Sequence, residues 1–235
     1  MADKRKKKAD GGILIGFVLD KSGSMDVIRD ATISGFNEYK NDQAKRSGTL
    51  MSLMMFDTEF VRVCGVVPAA EVADLDYASY APGGCTALYD AIGHTIKGVD
   101  DHIARHGRPG KVLVVIMTDG MENASREYDR QRIFRMIEER QDNRDYEFVY
   151  LGANQDAYAV GRSMGVREGR MLNFRPDEDG QTRAFDRLSS ATHEVACCMS
   201  RSMPSDWLDP DELLRDEPEG AGTGGPKRGR KRPKA

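Results

Sequence analysis

The chain has 235 residues and a mass of 26.1 kDa, with 39% apolar and 31% charged residues and a mean hydropathy of -0.58. These figures suit one globular domain with tails, or at most two small domains, and exclude a membrane-embedded chain, because no stretch approaches the roughly 20 apolar residues that span a bilayer. The net charge of -3 conceals an asymmetry: residues 1–10 carry +3, residues 227–235 carry +6, and the body between them sets 24 bases against 36 acids. An acidic body argues against nucleic acid lying across the folded surface and leaves the two tails as the basic patches.

The basic start followed by the apolar run 11–19 imitates a secretory signal. The run is short, stops at Asp20, and is followed by no small-x-small cleavage site, so it reads as a buried strand over 12–19. Helical spacing of Ile28, Ala31, Gly35 and Tyr39 predicts a helix over 26–46. Strands follow at 49–56 and 60–67, and the Asp57-Thr58-Glu59 connection is short enough for an antiparallel hairpin at a sheet edge. After the loop 76–85, Leu88, Ile92, Thr95, Val99 and Ile103 form one apolar helical face that His106-Gly107-Arg108-Pro109-Gly110 terminates. Val112–Met117 is the most strand-like run. A helix over 127–141, a strand at 147–151, a short helix at about 155–164, a weak strand at 171–174 and an amphipathic helix over 180–202 complete the pattern.

Alternation of this kind predicts an α/β fold: a doubly wound, mostly parallel central sheet with one antiparallel edge strand and helices on both faces. The domain is expected over 11–202, with a basic disordered tail at 1–10 and a disordered tail at 203–235 that is acidic, then Gly/Pro-rich, then basic. Cys64, Cys85, Cys197 and Cys198 include an adjacent pair and no CxxC, which fits reduced thiols in a cytoplasmic protein.

In a doubly wound sheet, ligands bind beyond the carboxyl ends of the strands, which here carry Asp20, Asp57, Asp119 and Gly152. Asp20-Lys21-Ser22-Gly23-Ser24 sets oxygen-bearing side chains at alternate positions where the first strand turns into the first helix. Such donors suit a hard divalent cation, and Gly23 lets the turn close. Thr86 follows Pro82-Gly83-Gly84-Cys85 and opens the long helix, and Asp119, followed by Gly120, ends the Val112–Thr118 run. If the three strands are parallel, all three loops lie on one sheet edge. A simpler role exists for each: Ser24 or Thr86 as a helix cap, Asp119 as the start of a turn.

DxSxS after an apolar strand, Gly-Gly-x-Thr before a helix, and Thr-Asp-Gly after a second apolar strand, in this order, resemble the von Willebrand factor type A family and its metal-ion-dependent adhesion site. Gly-Ala-Asn-Gln-Asp-Ala (152–157) is similar to a segment met in bacterial and phage members. The resemblance implies Ser22, Ser24 and Thr86 as hydroxyl ligands, Asp20 and Asp119 acting largely through metal-bound water, and Mg²⁺ as the ion, with Mn²⁺ or Ca²⁺ as substitutes. It also implies that a partner protein's Asp or Glu carboxylate completes the site, and that partners include AAA+ ATPase systems.

Mostly neutral hydroxyls would leave the ion much of its charge, which favours carboxylate capture over turnover, since hydrolysis needs an aimed general base. There is no P-loop and no GxSxG, and an aspartate-nucleophile phosphatase would want a second Asp where Ser22 stands. A metal-dependent hydrolase is the weakest of the readings. Asp90, one turn after Thr86, is either a supporting group or a solvated helix position. His102 and His106 have zinc-like spacing but no third ligand, so solvated surface is expected, and His94 and His193 read as structural. The Arg228-Gly229-Arg230-Lys231-Arg232 segment between Pro226 and Pro233 resembles an AT-hook, with two extra bases before the second proline. The alternative function is therefore a nucleic-acid-associated factor whose tails attract DNA or RNA, mainly through phosphates.

Overall fold

Continuous apolar runs need cover on both faces, and β1 (Ile13–Asp20) receives it, being buried along all eight residues. The structure, a computed structural model, describes residues 12–144, 146–153 and 156–197. β1 lies between β2 (Leu50–Phe56) and β4 (Lys111–Thr118), parallel to both. β3 (Phe60–Pro68) is antiparallel to β2, while β5 (Tyr146–Ala153) and β6 (Met171–Phe174) extend the sheet in parallel beyond β4. The resulting order is β3-β2-β1-β4-β5-β6. The chain winds one way from β1 to β3 and the other way from β4 to β6, so the switch point falls between β1 and β4.

The period-two alternation of the strands divides the core. Ile13, Ile15, Phe17 and Leu19, with Leu113, Val115 and Met117, face α1 (Arg29–Ala44) and α5 (Glu178–Cys197). Leu14 and Val18, with Val112, Val114 and Ile116, face α2 (Leu88–His106), α3 (Arg130–Asn143) and α4 (Ala157–Ser163). Gly16 is the exception on β1: a Cβ there would lie 3.1 Å from the Thr95 methyl and 3.2 Å from a Val99 methyl, so its bare face lets α2 close onto the sheet. Among the described residues no helix is long and apolar enough to cross a membrane.

The fold is the α/β architecture expected, including the antiparallel edge strand. Element ends differ. The first helix is preceded by a 3-10 turn, Gly23–Ile28, and α1 starts at Arg29 rather than 26, because the loop after β1 is tied to other loops. α3 starts at Arg130, where the Asp129 carboxylate accepts the Arg132 N–H at 2.7 Å, and α4 starts at Ala157 under an Asp156 cap of the same kind. α5 begins at Glu178, two residues earlier than expected. Residues 1–11 and 198–235, with both proposed tails, Cys198 and the AT-hook-like Arg228–Arg232 segment, lie outside the described residues, as do Asn154 and Gln155.

α1 and α5 approach closely at Gly35, where a Cβ would meet the Phe185 ring at 2.2 Å. Gly35→Ala should therefore destabilise the fold by about 1–3 kcal/mol, even though alanine is the better helix former by about 1 kcal/mol. Urea denaturation checks this, and an undiminished midpoint would mean that the two helices do not meet there.

Candidate metal centre

Parallel register brings the carboxyl ends of β1 and β4 side by side, with Leu19 opposite Met117, so Asp20 and Thr118 emerge as neighbours. Asp20 is fully buried. One of its carboxylate oxygens accepts the Ser22 N–H at 2.6 Å, and the other accepts the Thr118 hydroxyl. The Tyr80 hydroxyl donates to its backbone carbonyl at 2.7 Å. Asp20 thus forms the floor of the site and shapes the turn above it.

The glycine-rich segment before α2 is stitched to that turn. Gly83 N–H donates to the Lys21 carbonyl at 2.9 Å and Gly23 N–H to the Gly84 carbonyl at 3.3 Å. Gly84 has φ +70°, and a Cβ there would stand 2.5 Å from the Thr58 hydroxyl, so both its conformation and its surroundings require glycine. The hairpin tip contributes as well: the Thr58 hydroxyl accepts the Cys85 N–H at 2.9 Å, and the Asp57 carbonyl accepts the Ala87 N–H at 2.7 Å. The Asp57 carboxylate, another strand-end acid, is held by the Lys21 ammonium.

The loop after β4 closes the ring. The Ser24 hydroxyl donates to Asp119 Oδ1 at 2.6 Å, and the Ser22 and Ser24 hydroxyls lie 3.3 Å apart. Gly120 is where Thr86 enters, since a Cβ at that position would fall 2.8 Å from Thr86 Oγ1 and 3.5 Å from Ser22 Oγ. Thr86 is further held by Asn123, whose side-chain oxygen accepts the Thr86 N–H at 2.9 Å, while the Asn123 and Ala124 N–H groups donate to the Thr86 carbonyl at 3.0 and 3.2 Å. Asp20, Ser22, Ser24, Thr86 and Asp119 are therefore gathered at one edge of the sheet. Only Ser24 among them is exposed.

The donor set fits a hard divalent cation. Asp119 Oδ2 is buried and has no hydrogen-bond partner, an expensive condition for a carboxylate oxygen unless a cation faces it. Three hydroxyl oxygens stand around the same point, and oxygen donors are what Mg²⁺, Mn²⁺ and Ca²⁺ select. No three His, Cys, Asp or Glu side chains converge to hold a metal among the described residues, so a candidate here depends on hydroxyls. Burial pushes the Asp20 carboxyl up to about 6 against the opposing hydrogen bonds of Thr118 and Ser22, and burial raises Asp119 despite its bond from Ser24.

Of the two readings open for Asp90, the supporting one holds: it is buried and does not reach the cluster. Its carboxylate accepts the N–H groups of Arg126, Glu127 and Tyr128 at 2.8, 3.0 and 2.8 Å, anchoring the loop that carries Asp119. Glu122 accepts the Tyr89 N–H at 2.9 Å, and the Ser125 hydroxyl accepts that of Asp90 at 3.1 Å, so the loop caps the start of α2. His94 stacks on Phe60 at 4.0 Å and pairs with Glu127, as a structural histidine should. His193 lies 2.7 Å from an Arg46 nitrogen at the end of α1. His106 is exposed, as expected, and His102 is half-buried; both border a groove between α2 and β3.

Asp20 gives this geometry a pH signature. Its folded carboxyl binds a proton more tightly than the unfolded one, whose ordinary value is 3.8, so its contribution to stability is present at low pH and is lost as pH rises through about 6. In chelator, Asp20→Asn should therefore gain on the wild type by about 2 kcal/mol between pH 4 and pH 7. Paired denaturation curves check this, and a difference that does not change with pH would contradict a carboxyl buried against ionisation.

No protein-family model and no curated protein sequence matches the chain. Solved structures do match it. The vWF domain of the type V pili tip protein Mfa5 from Porphyromonas gingivalis superposes with a TM-score of 0.57 at 10% identity, covering 82% of this chain and 98% of that one. A von Willebrand factor type A structure from Catenulispora acidiphila gives 0.53 at 14%, covering 77% and 42%. Proximal thread matrix protein 1 from the mussel byssus, with a zinc-occupied MIDAS motif, gives 0.56 at 14%, covering 77% and 46%. The chain spans less than half of the last two chains. A six-stranded sheet with one antiparallel edge, wound about a switch point between β1 and β4, is the von Willebrand factor type A fold.

Proposed function

We propose that this is a divalent-cation-dependent protein-binding domain, with Mg²⁺ held by Ser22, Ser24, Thr86, Asp119 and, from below, Asp20. The observation that carries the reading is the unpartnered, buried Asp119 Oδ2 among three converging hydroxyls. The zinc in the MIDAS motif of the mussel protein lends support at the level of a divalent ion. When bound, the cation supplies a Lewis-acidic position that a partner's Asp or Glu carboxylate fills.

The chain's own groups favour capture over turnover. Both Asp20 carboxylate oxygens are engaged, by Ser22 and Thr118, so Asp20 is poorly placed as nucleophile or base. None of the described histidines hydrogen-bonds to the five residues. Two large apolar side chains adjoin the site in sequence and are exposed. Val27 (73% exposed) follows the serine turn and Met121 (72%) follows Asp119-Gly120. Exposed apolar groups around a charge-seeking centre suit a protein surface that buries both together. The family resemblance favours a cytoplasmic partner of the AAA+ ATPase kind.

Calorimetric titration with Mg²⁺ tests the site. Thr86→Ala, Asp119→Asn and Gly120→Ala should each weaken binding by about 10–100-fold while circular dichroism stays native. Gly120→Ala acts by thrusting a methyl at the Thr86 hydroxyl. Unchanged affinity in all three would refute the site.

A further inference from the structure

A second constellation lies away from the metal centre, in the groove between the β2–β3 edge of the sheet and the C-terminal half of α2. The groove encloses about 350 Å³, within the range of small-molecule sites. Arg62 reaches it from β3, and His102, Arg105 and His106 from the last turns of α2. Asp101 is the one carboxylate in its lining, and Met54 and Val66 form its apolar floor. Two arginines and two histidines gathered around one carboxylate run against the acidic character of the body.

Neither arginine pairs with a carboxylate among the described residues. Arg105 donates Nε to the Asp101 backbone carbonyl at 3.0 Å, which leaves its outer nitrogens uncommitted. Arg62 lies above bare helix, since a Cβ on Gly98 would stand 3.7 Å from its Nη2. The His102 and His106 rings are 4.4 Å apart. His106 Nδ1 is 3.1 Å from the His102 carbonyl, which can only accept, so Nδ1 carries the proton and Nε2 is left for another partner. Burial, then His106 and then Arg105, hold the His102 imidazole below its usual range. The remaining titratable groups of the lining are Cys64 and His94, the latter paired with Glu127.

Cations in a last helical turn complement the helix dipole, which accounts for Arg105 and His106 alone. It does not account for an arginine brought from a separate strand, or for the cavity they share. We infer that the β3–α2 groove is an anion site for a phosphate group, free or carried on a small molecule, gripped by Arg62 and Arg105 and capped by the His102–His106 pair. Guanidinium groups match phosphate in charge and bidentate geometry, and the apolar floor suits the body of an organic phosphate.

Histidine-selective NMR on the full chain, in chelator so that no metal-held phosphate contributes, tests the assignment. The probes are inorganic phosphate and adenosine monophosphate, with chloride at matched ionic strength as control. Saturable movement of the His102 and His106 resonances is expected, with His102 titrating at higher pH in the bound state. Arg62→Ala and Arg105→Ala should each weaken binding by at least about tenfold, with Mg²⁺ affinity at the metal centre unchanged. Tighter binding of the monophosphate supports an organic phosphate, and equal binding supports phosphate itself. No saturable response beyond chloride, or a response that persists in the double variant, overturns the site.

Discussion

The carboxyl edge of the sheet is organised around one buried acid. Asp20 sits at the end of the central strand with no exposure, and it cannot be left unsatisfied there. Its two oxygens draw in the Ser22 amide and the Thr118 hydroxyl, and its backbone carbonyl draws in Tyr80. These bonds shape the turn that presents Ser22 and Ser24, join that turn to the end of β4, and pin the loop that leads toward Thr86. The positions of the other donors follow from satisfying this one group.

Around that floor the polar groups divide into those already satisfied and those left open. Lys21 takes the Asp57 carboxylate, Asp90 takes three loop amides, and Glu122, Ser125 and Asn123 take amides at the start of α2. After this accounting Asp119 Oδ2 remains alone. Burial raises both Asp20 and Asp119, so the folded chain holds two carboxylates in a place where their charge is costly. A cation bound there would remove that cost and so couple its binding to the stability of the edge.

The groove on the β3–α2 side has a different electrostatic character. It carries two guanidinium groups that pair with no carboxylate among the described residues, it is lined by the edge strand and the far end of α2, and it shares no residue with the candidate metal centre. The long helix links the two: its first turn is bonded to the loop that carries Asp119, and its last turns carry His102, Arg105 and His106.

Apolar runs and their spacing determine the strands, the helices and the parallel order, because burial on one or two faces leaves a period that reads directly from the residues. The candidate metal residues are legible for a related reason. Asp20, Ser22, Ser24 and Asp119 follow the ends of the parallel strands β1 and β4, which a doubly wound sheet sends to one edge. Thr86 instead comes after the antiparallel β3, which ends at the opposite edge, and only the 69–85 segment, with the bonds of Gly83 to Lys21 and of Ala87 to Asp57, returns it to the site. Their supports are less legible. Asp90 has the spacing of any solvated helix acid, and only the folded loop 122–128, presenting three amides to it, makes it an anchor. His102 and His106 look like surface histidines until β3 brings Arg62 across from a strand some forty residues earlier. Local periodicity decides which face of an element is buried. Which polar groups meet across elements is decided by tertiary packing, since hydrogen bonds and charge pairs between distant segments leave no period in the chain.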